Sequence, residues 1–118
     1  MTHVKFELPT DDMERAKKFY LFVFNWQFEQ LPFNYALIDT HGKTVNPLKS
    51  NGGLSPRNEF VKSPTLIIDV DSIDETAEKI KSSGGTLLNA KEKVGDFGYS
   101  LYAKDTEGNI FCIWENIT

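Results

Sequence analysis

One pattern is written twice in this chain, about 60 residues apart. In the first copy Phe6 and Leu8 lead into Asp11-Asp12-Met13-Glu14-Arg15-Ala16, and a helical run to Phe24 ends at Asn25-Trp26. In the second, Leu66, Ile68 and Val70 lead into Asp71-Ser72-Ile73-Asp74-Glu75-Thr76-Ala77, and the helical run stops at Gly84-Gly85. Met13 falls on Ile73, Tyr20 on Ile80 and Phe24 on Gly84 without a gap. Self-similarity at a fixed period marks a repeated structural unit. The order strand, turn, helix, strand therefore occurs twice, which predicts two similar modules, about residues 1–58 and 62–118, within a single domain spanning 1–118.

Local patterns fill in the modules. Val4, Phe6 and Leu8 alternate with Lys5 and Glu7, the period of a strand with one apolar face, and Pro9 is expected to end it. Asp11 followed by Glu14 reads as a capping box, and Ala16, Phe19, Tyr20 and Val23 form the apolar stripe of a first helix. Leu21 and Phe22 point off that stripe, toward another element or a subunit contact. Short strands are expected at Gln27–Leu31 and Tyr35–Asp39, then a Gly-, Pro-, Asn- and Ser-rich connection with one weak strand near Asn51–Leu54. The second module predicts a strand at Thr65–Val70, a cap from Ser72 with Glu75, and a helix burying Ile73, Ala77 and Ile80. Glycine at 84 and 85 stops it. Strands near Thr86–Ala90, Tyr99–Lys104 and Ile110–Glu115 complete the unit.

At 118 residues, with nine Phe, the chain has material for one real core without staples. Its single cysteine, Cys112, cannot close an intrachain disulfide, and the first residues lack the apolar stretch of a secretory signal, so the expected location is a reducing cytoplasm. No run approaches the roughly 18 apolar residues of a membrane span. Residues 1–59 carry seven basic and seven acidic side chains, and residues 60–118 carry six and ten. Without a basic face, a net charge of -4 argues against a nucleic-acid partner, because Lys and Arg contacts to phosphate dominate such binding.

Two βαβββ modules carrying Asp11 through Tyr20, then Val23-Phe24-Asn25-Trp26, resemble the vicinal oxygen chelate superfamily of glyoxalase I, bleomycin-resistance and extradiol dioxygenase proteins. The second module agrees through Ile73-Asp74, Gly84-Gly85 and Asp105-Thr106-Glu107-Gly108-Asn109. The resemblance implies an α+β fold in which each module curls into a half-barrel and the pair encloses a small-molecule cleft, in a chain that forms a homodimer. It also implies a divalent metal held by the first and last strands of both modules. Those positions fall on Lys5, Thr65, Cys112 and Gly52 or Gly53, none a usual ligand there. A lysine ammonium has no lone pair to give and repels a dication. The expectation is thus a glyoxalase-like protein that binds or transforms a small molecule with no metal or other cofactor. A metal-dependent lyase, isomerase or dioxygenase with unusual ligands, and a drug-sequestering resistance protein, stand as alternatives.

Strand alternation puts Lys5 and Glu7 on the cleft face as its polar groups. Thr65, Ile67 and Asp69 share the corresponding face of the second module, with Ile110, Cys112 and Trp114 on its last strand. Tyr35 and Tyr99, with Phe33, Phe60 and Phe97, are candidates for an apolar or stacking wall. Taken together the ligand-binding candidates are Lys5, Glu7, Tyr35, Thr65, Ile67, Tyr99, Cys112 and Trp114. Aromatic residues on strands serve a core as readily as a ligand, and a buried cysteine behaves as a small hydrophobe.

Overall fold

A computed structural model describes residues 3–42 and 50–117. The elements run β1 (Val4–Thr10), α1 (Met13–Phe24), β2 (Gln27–Gln30), β3 (Ala36–Asp39), β4 (Gly52–Pro56), β5 (Thr65–Asp69), α2 (Ile73–Ser82), β6 (Thr86–Leu87), β7 (Glu92–Val94), β8 (Gly98–Lys104) and β9 (Ile110–Asn116). The described residues divide into two compact units, one within Lys5–Pro64 and the other made of residues 65–117 together with residues 3 and 4. Each carries a helix on a mixed sheet, βαβββ in the first unit and the same with the short β7 added in the second, the arrangement of an α+β fold.

In the first unit the strands are ordered β2-β3-β4-β1, with β1 and β4 parallel and the other pairs antiparallel. Contrary to the expectation from Pro9, β1 continues to Thr10. Phe6 donates its N–H to the Asn51 carbonyl, so even-numbered N–H groups face β4. Pro9 pairs with Ser55 at an odd position and gives up no bond to that neighbour.

Helix α1 begins one residue later than the capping-box reading places it, because the Asp12 carboxylate accepts the Arg15 N–H at 3.0 Å. It ends where Asn25 adopts the left-handed conformation at φ 60°. Ala36, Ile38 and Leu54 form the buried core of this unit, and Phe6, Leu8, Met13, Ala16, Trp26 and Phe28 pack on it. The expected stripe is therefore only partly right: Ala16 packs inward, whereas Phe19 and Val23 are exposed. Trp26, just beyond the helix, takes their place by stacking on Tyr20 at 4.8 Å between ring centroids.

In the second unit the order is β5-β9-β8-β6, with β7 pairing to β8. Ile73, Leu101, Ala103 and Ile113 are its buried core, joined by Ile68, Val70, Ile80, Leu87, Tyr99 and Phe111. Ser72 Oγ accepts the Glu75 N–H as the sequence implies, and Glu115 adds a carboxylate that accepts the Ile73 N–H at 2.7 Å. Past the helix, Gly84 sits at φ 93° and Gly85 returns its N–H to the Ile80 carbonyl. The strand expected to run to Ala90 narrows to Thr86–Leu87, because the Asn89 side chain accepts the Tyr102 N–H in place of a backbone carbonyl.

The β8–β9 hairpin turns on Asp105, whose carboxylate accepts the N–H groups of Glu107 and Asn109 and the Asn109 side-chain amide. These bonds, led by the Asn109 backbone N–H, lower the Asp105 pKa from its ordinary value. A carboxyl whose folded pKa lies below its unfolded one stabilises the fold above the unfolded value, and that help is lost as the pH falls through the folded one. The melting advantage of wild type over Asp105→Ala should therefore hold steady near neutrality and shrink as pH drops below about 4. A thermal melting series across pH measures it, and an advantage that grows with acidity contradicts the turn's electrostatics.

Candidate functional site

Strand register assembles the first unit's candidates. Glu7 lies beside Gly53 on β4, and Gly53 beside Leu37 on β3, so these share the sheet face opposite the Ala36–Ile38–Leu54 core. Lys5, two residues before Glu7, belongs to the same face and is half-buried. Glu7 is buried, 4% exposed, and its Oε2 accepts a hydrogen bond from the Tyr35 hydroxyl at 2.8 Å.

That bond depends on a missing side chain. A Cβ built on Gly53 would lie 2.0 Å from the Tyr35 hydroxyl oxygen and 2.3 Å from its Cε1 and Cζ. The Tyr35 ring thus crosses Gly53 to reach Glu7. Its backbone is pinned by Gln30, whose side-chain amide donates to the carbonyls of Phe33 at 2.9 Å and Tyr35 at 3.0 Å. The Gln30 amide oxygen in turn accepts from Lys17 of α1, so the tip of the β2–β3 hairpin is tied to the helix. Neither Gly53 as a seat for the ring nor Gln30 as its anchor was visible from sequence. The resemblance left Gly52 or Gly53 at a vacant ligand position, and contacts between residues 35, 53 and 7 carry no local signature.

The second unit repeats the device. Ile67 pairs with Cys112 and Asp69 with Trp114 on β9, while Tyr102 and Ser100 of β8 lie opposite Cys112 and Trp114. These residues share the face away from the Ile73 cluster, and Thr65 belongs to that face by alternation. Thr65, Ile67 and Cys112 are buried. The Trp114 ring crosses Gly98, where a Cβ would approach its Cζ2 to 2.6 Å, and its indole N–H donates to the Asn116 side chain at 2.7 Å.

Tyr99 is not brought into this set. It packs with the Ile73 cluster on the helix side, under the Lys91 ammonium at 4.6 Å from its ring centroid. Phe33 is exposed on the hairpin, and Phe60 and Phe97 are half-buried in loops. His3 and His41 are exposed; His3 accepts the Asp69 N–H through its carbonyl, and His41 donates its own N–H to Asp39.

Among the described residues no three His, Cys, Asp or Glu side chains lie together as a metal ion requires. At the positions where the resemblance implies ligands stand an ammonium (Lys5), a hydroxyl (Thr65), a thiol (Cys112) and the hydrogen of Gly53, against which the Tyr35 hydroxyl is pressed. This donor set does not fit a divalent metal.

The model of the Glyoxalase/Bleomycin resistance protein/Dioxygenase superfamily matches residues 1–113. The chain belongs to this superfamily. A glyoxylase-like domain-containing protein of Didymella fabae is 32% identical over 113 residues, covering 91% of this chain and 88% of that protein. The CFP32 protein of Mycobacterium tuberculosis is 25% identical over 114 residues, covering 92% of this chain but 43% of CFP32, so the chain spans less than half of that relative. Among solved structures, a superfamily member from Vibrio splendidus 12B01 matches with a TM-score of 0.68 at 14% identity, covering 99% of this chain and 100% of that one. At that identity the likeness shows the fold alone. Among the described residues of this superfamily member, no helix is long and apolar enough to cross a membrane.

Proposed function

We propose that this superfamily member binds a small molecule, or transforms one, through a hydrogen-bonded carboxylate and phenol rather than through a bound metal. The observation that carries the reading is the buried Glu7 carboxylate joined to Tyr35 at 2.8 Å, with the ring seated on a glycine. An ionised carboxylate offers only acceptors, and a phenol that donates to it still presents lone pairs. Lys5 on the same face adds a cation. Together they suit a polar molecule that carries a hydroxyl or amine together with an acidic group. In the second unit, Thr65, Ile67, Cys112 and Trp114 form a mostly apolar sheet face of their own, the composition that small-molecule sites favour.

Drug sequestration is the second reading, favoured by Trp114, whose ring lies against Gly98 and supplies an aromatic surface of the kind that planar molecules stack on. We further infer that the protein works as a homodimer in the cytoplasm, as the superfamily resemblance implies.

The test is a binding screen by amide chemical shifts with hydroxy acids, amino alcohols and planar aromatics, and separately with Zn, Ni, Mn and Fe ions. Hydroxy acids or amino alcohols should move the resonances of Glu7, Tyr35 and Gly53. Glu7→Gln should weaken those molecules by about tenfold, the worth of a hydrogen bond to a charged group. Stoichiometric retention of one of the metals, with turnover that depends on it, overturns the proposal.

A further inference from the structure

We propose that the Glu7–Tyr35 pair is a receptor for a primary ammonium group, which makes the ligand of this face an amine joined to an acid in place of a hydroxy acid. The inference rests on the carboxylate–phenol reading above and chooses between the two donors which that reading allows. The direction of the shared bond carries it. Tyr35 donates its hydroxyl to Glu7 Oε2 at 2.8 Å, and a phenol has one proton to give. What the pair offers a third group is therefore acceptors alone, on a carboxylate with about four lone-pair sites and on a phenol oxygen with its own lone pairs.

The phenol is held where that bond is made. Its ring lies across Gly53, where a Cβ would come within 2.0 Å of the hydroxyl oxygen. The backbone beneath is fixed on both sides: Tyr35 gives its N–H to the Phe33 carbonyl at 2.7 Å, and its own carbonyl accepts from the Leu31 N–H and the Gln30 side-chain amide, each at 3.0 Å. A group held this way needs little further ordering when a ligand binds.

A pair made of acceptors selects among donors by proton count and charge. An alcohol has one O–H, so it serves the carboxylate or the phenol and leaves the other short, whereas the three N–H groups of one ammonium can serve both. Glu7 is 4% exposed, and a buried carboxylate gains more from the N–H of a cation than from a neutral O–H. Lys5, half-buried on the same face of β1, stands two residues from Glu7, about 6–7 Å along the strand. Its cation suits the acid group at the other end of the molecule, so one short chain that carries an amine and a carboxylate matches both residues.

Titration of the full chain, followed by amide chemical shifts at neutral pH where an amine is charged, tests this with three probes. They are 3-aminopropanoate, 3-hydroxypropanoate and the N-trimethylated amino acid, which keeps the positive charge without an N–H. The amine should move the resonances of Glu7, Tyr35 and Gly53 and bind about tenfold tighter than the hydroxy acid, as charge-assisted hydrogen bonds do over neutral ones. The trimethylated compound should bind no tighter than the hydroxy acid. Tyr35→Phe, which keeps the ring on Gly53, should cut the preference for the amine to about threefold or less. A hydroxy acid that binds as tightly as the amine overturns the ammonium assignment and leaves the carboxylate–phenol reading standing, as does a screen in which other molecules move these resonances and the amine does not. A trimethylated compound that matches the amine, or a preference that survives Tyr35→Phe, shows charge acting alone and overturns the proposal. A screen in which nothing moves these resonances overturns both readings.

Discussion

Gly52→Ala is expected to lower stability by roughly 3 kcal/mol, the upper range for overpacking, because the new methyl meets backbone. A Cβ at residue 52 would lie 2.1 Å from the Phe6 carbonyl oxygen and 3.0 Å from its carbonyl carbon. Phe6 and Gly52 are partners in the parallel β1–β4 pair, so relief requires the two strands to part and their ladder bonds to weaken. Its neighbour behaves differently. At Gly53 the obstacle is the Tyr35 side chain, which can swing away at the cost of its bond to Glu7, so Gly53→Ala should cost only about 1–2 kcal/mol. Urea unfolding with a double-mutant cycle separates the two cases. Tyr35→Ala should absorb most of the Gly53→Ala penalty and none of the Gly52→Ala penalty. An unchanged unfolding midpoint for Gly52→Ala would mean that β1 and β4 are not held as described.

Ile113→Ala should be comparably damaging, about 3–4 kcal/mol, by loss of buried methylenes and the cavity they leave. Ile113 is 1% exposed at the middle of β9, flanked by Ile68 on β5 and Leu101 on β8. Ile73 of α2 belongs to the same cluster, and strands on both sides keep the hole from collapsing. Ile110, at the half-buried start of the same strand, is the control and should cost less than about 1.5 kcal/mol when truncated. Chemical denaturation of both variants gives the comparison. Equal losses would show that the second unit's core is not centred where the packing puts it.

How far the chain could be read depends on the range of the interactions involved. Ser72 with Glu75 and Gly84 with Gly85 act within four residues, and the structure agrees with both. The alternation in β1 correctly separates Phe6 and Leu8 on the core side from Glu7 on the other. Pro9 misleads because its cost depends on which way its missing N–H would point, and pairing with Ser55 decides that. Phe19 and Val23 mislead because helical periodicity gives the angle of a residue but not the width of the groove receiving it, and Trp26 fills that groove from outside the helix. Tyr99 alternates correctly along β8 yet lies on the helix side, since the choice of face for that strand is set by its pairing with β9.

Residue order alone was enough for the repeat and for the helix limits within a residue or so, because each is a matter of residue type and short spacing. Contacts across long separations settled the rest: Tyr35 reaching Glu7 across 28 positions, the ring resting on Gly53, and Phe22 left in water. Such contacts follow from how strands are placed side by side, and a periodic pattern holds no information about which neighbour a strand acquires.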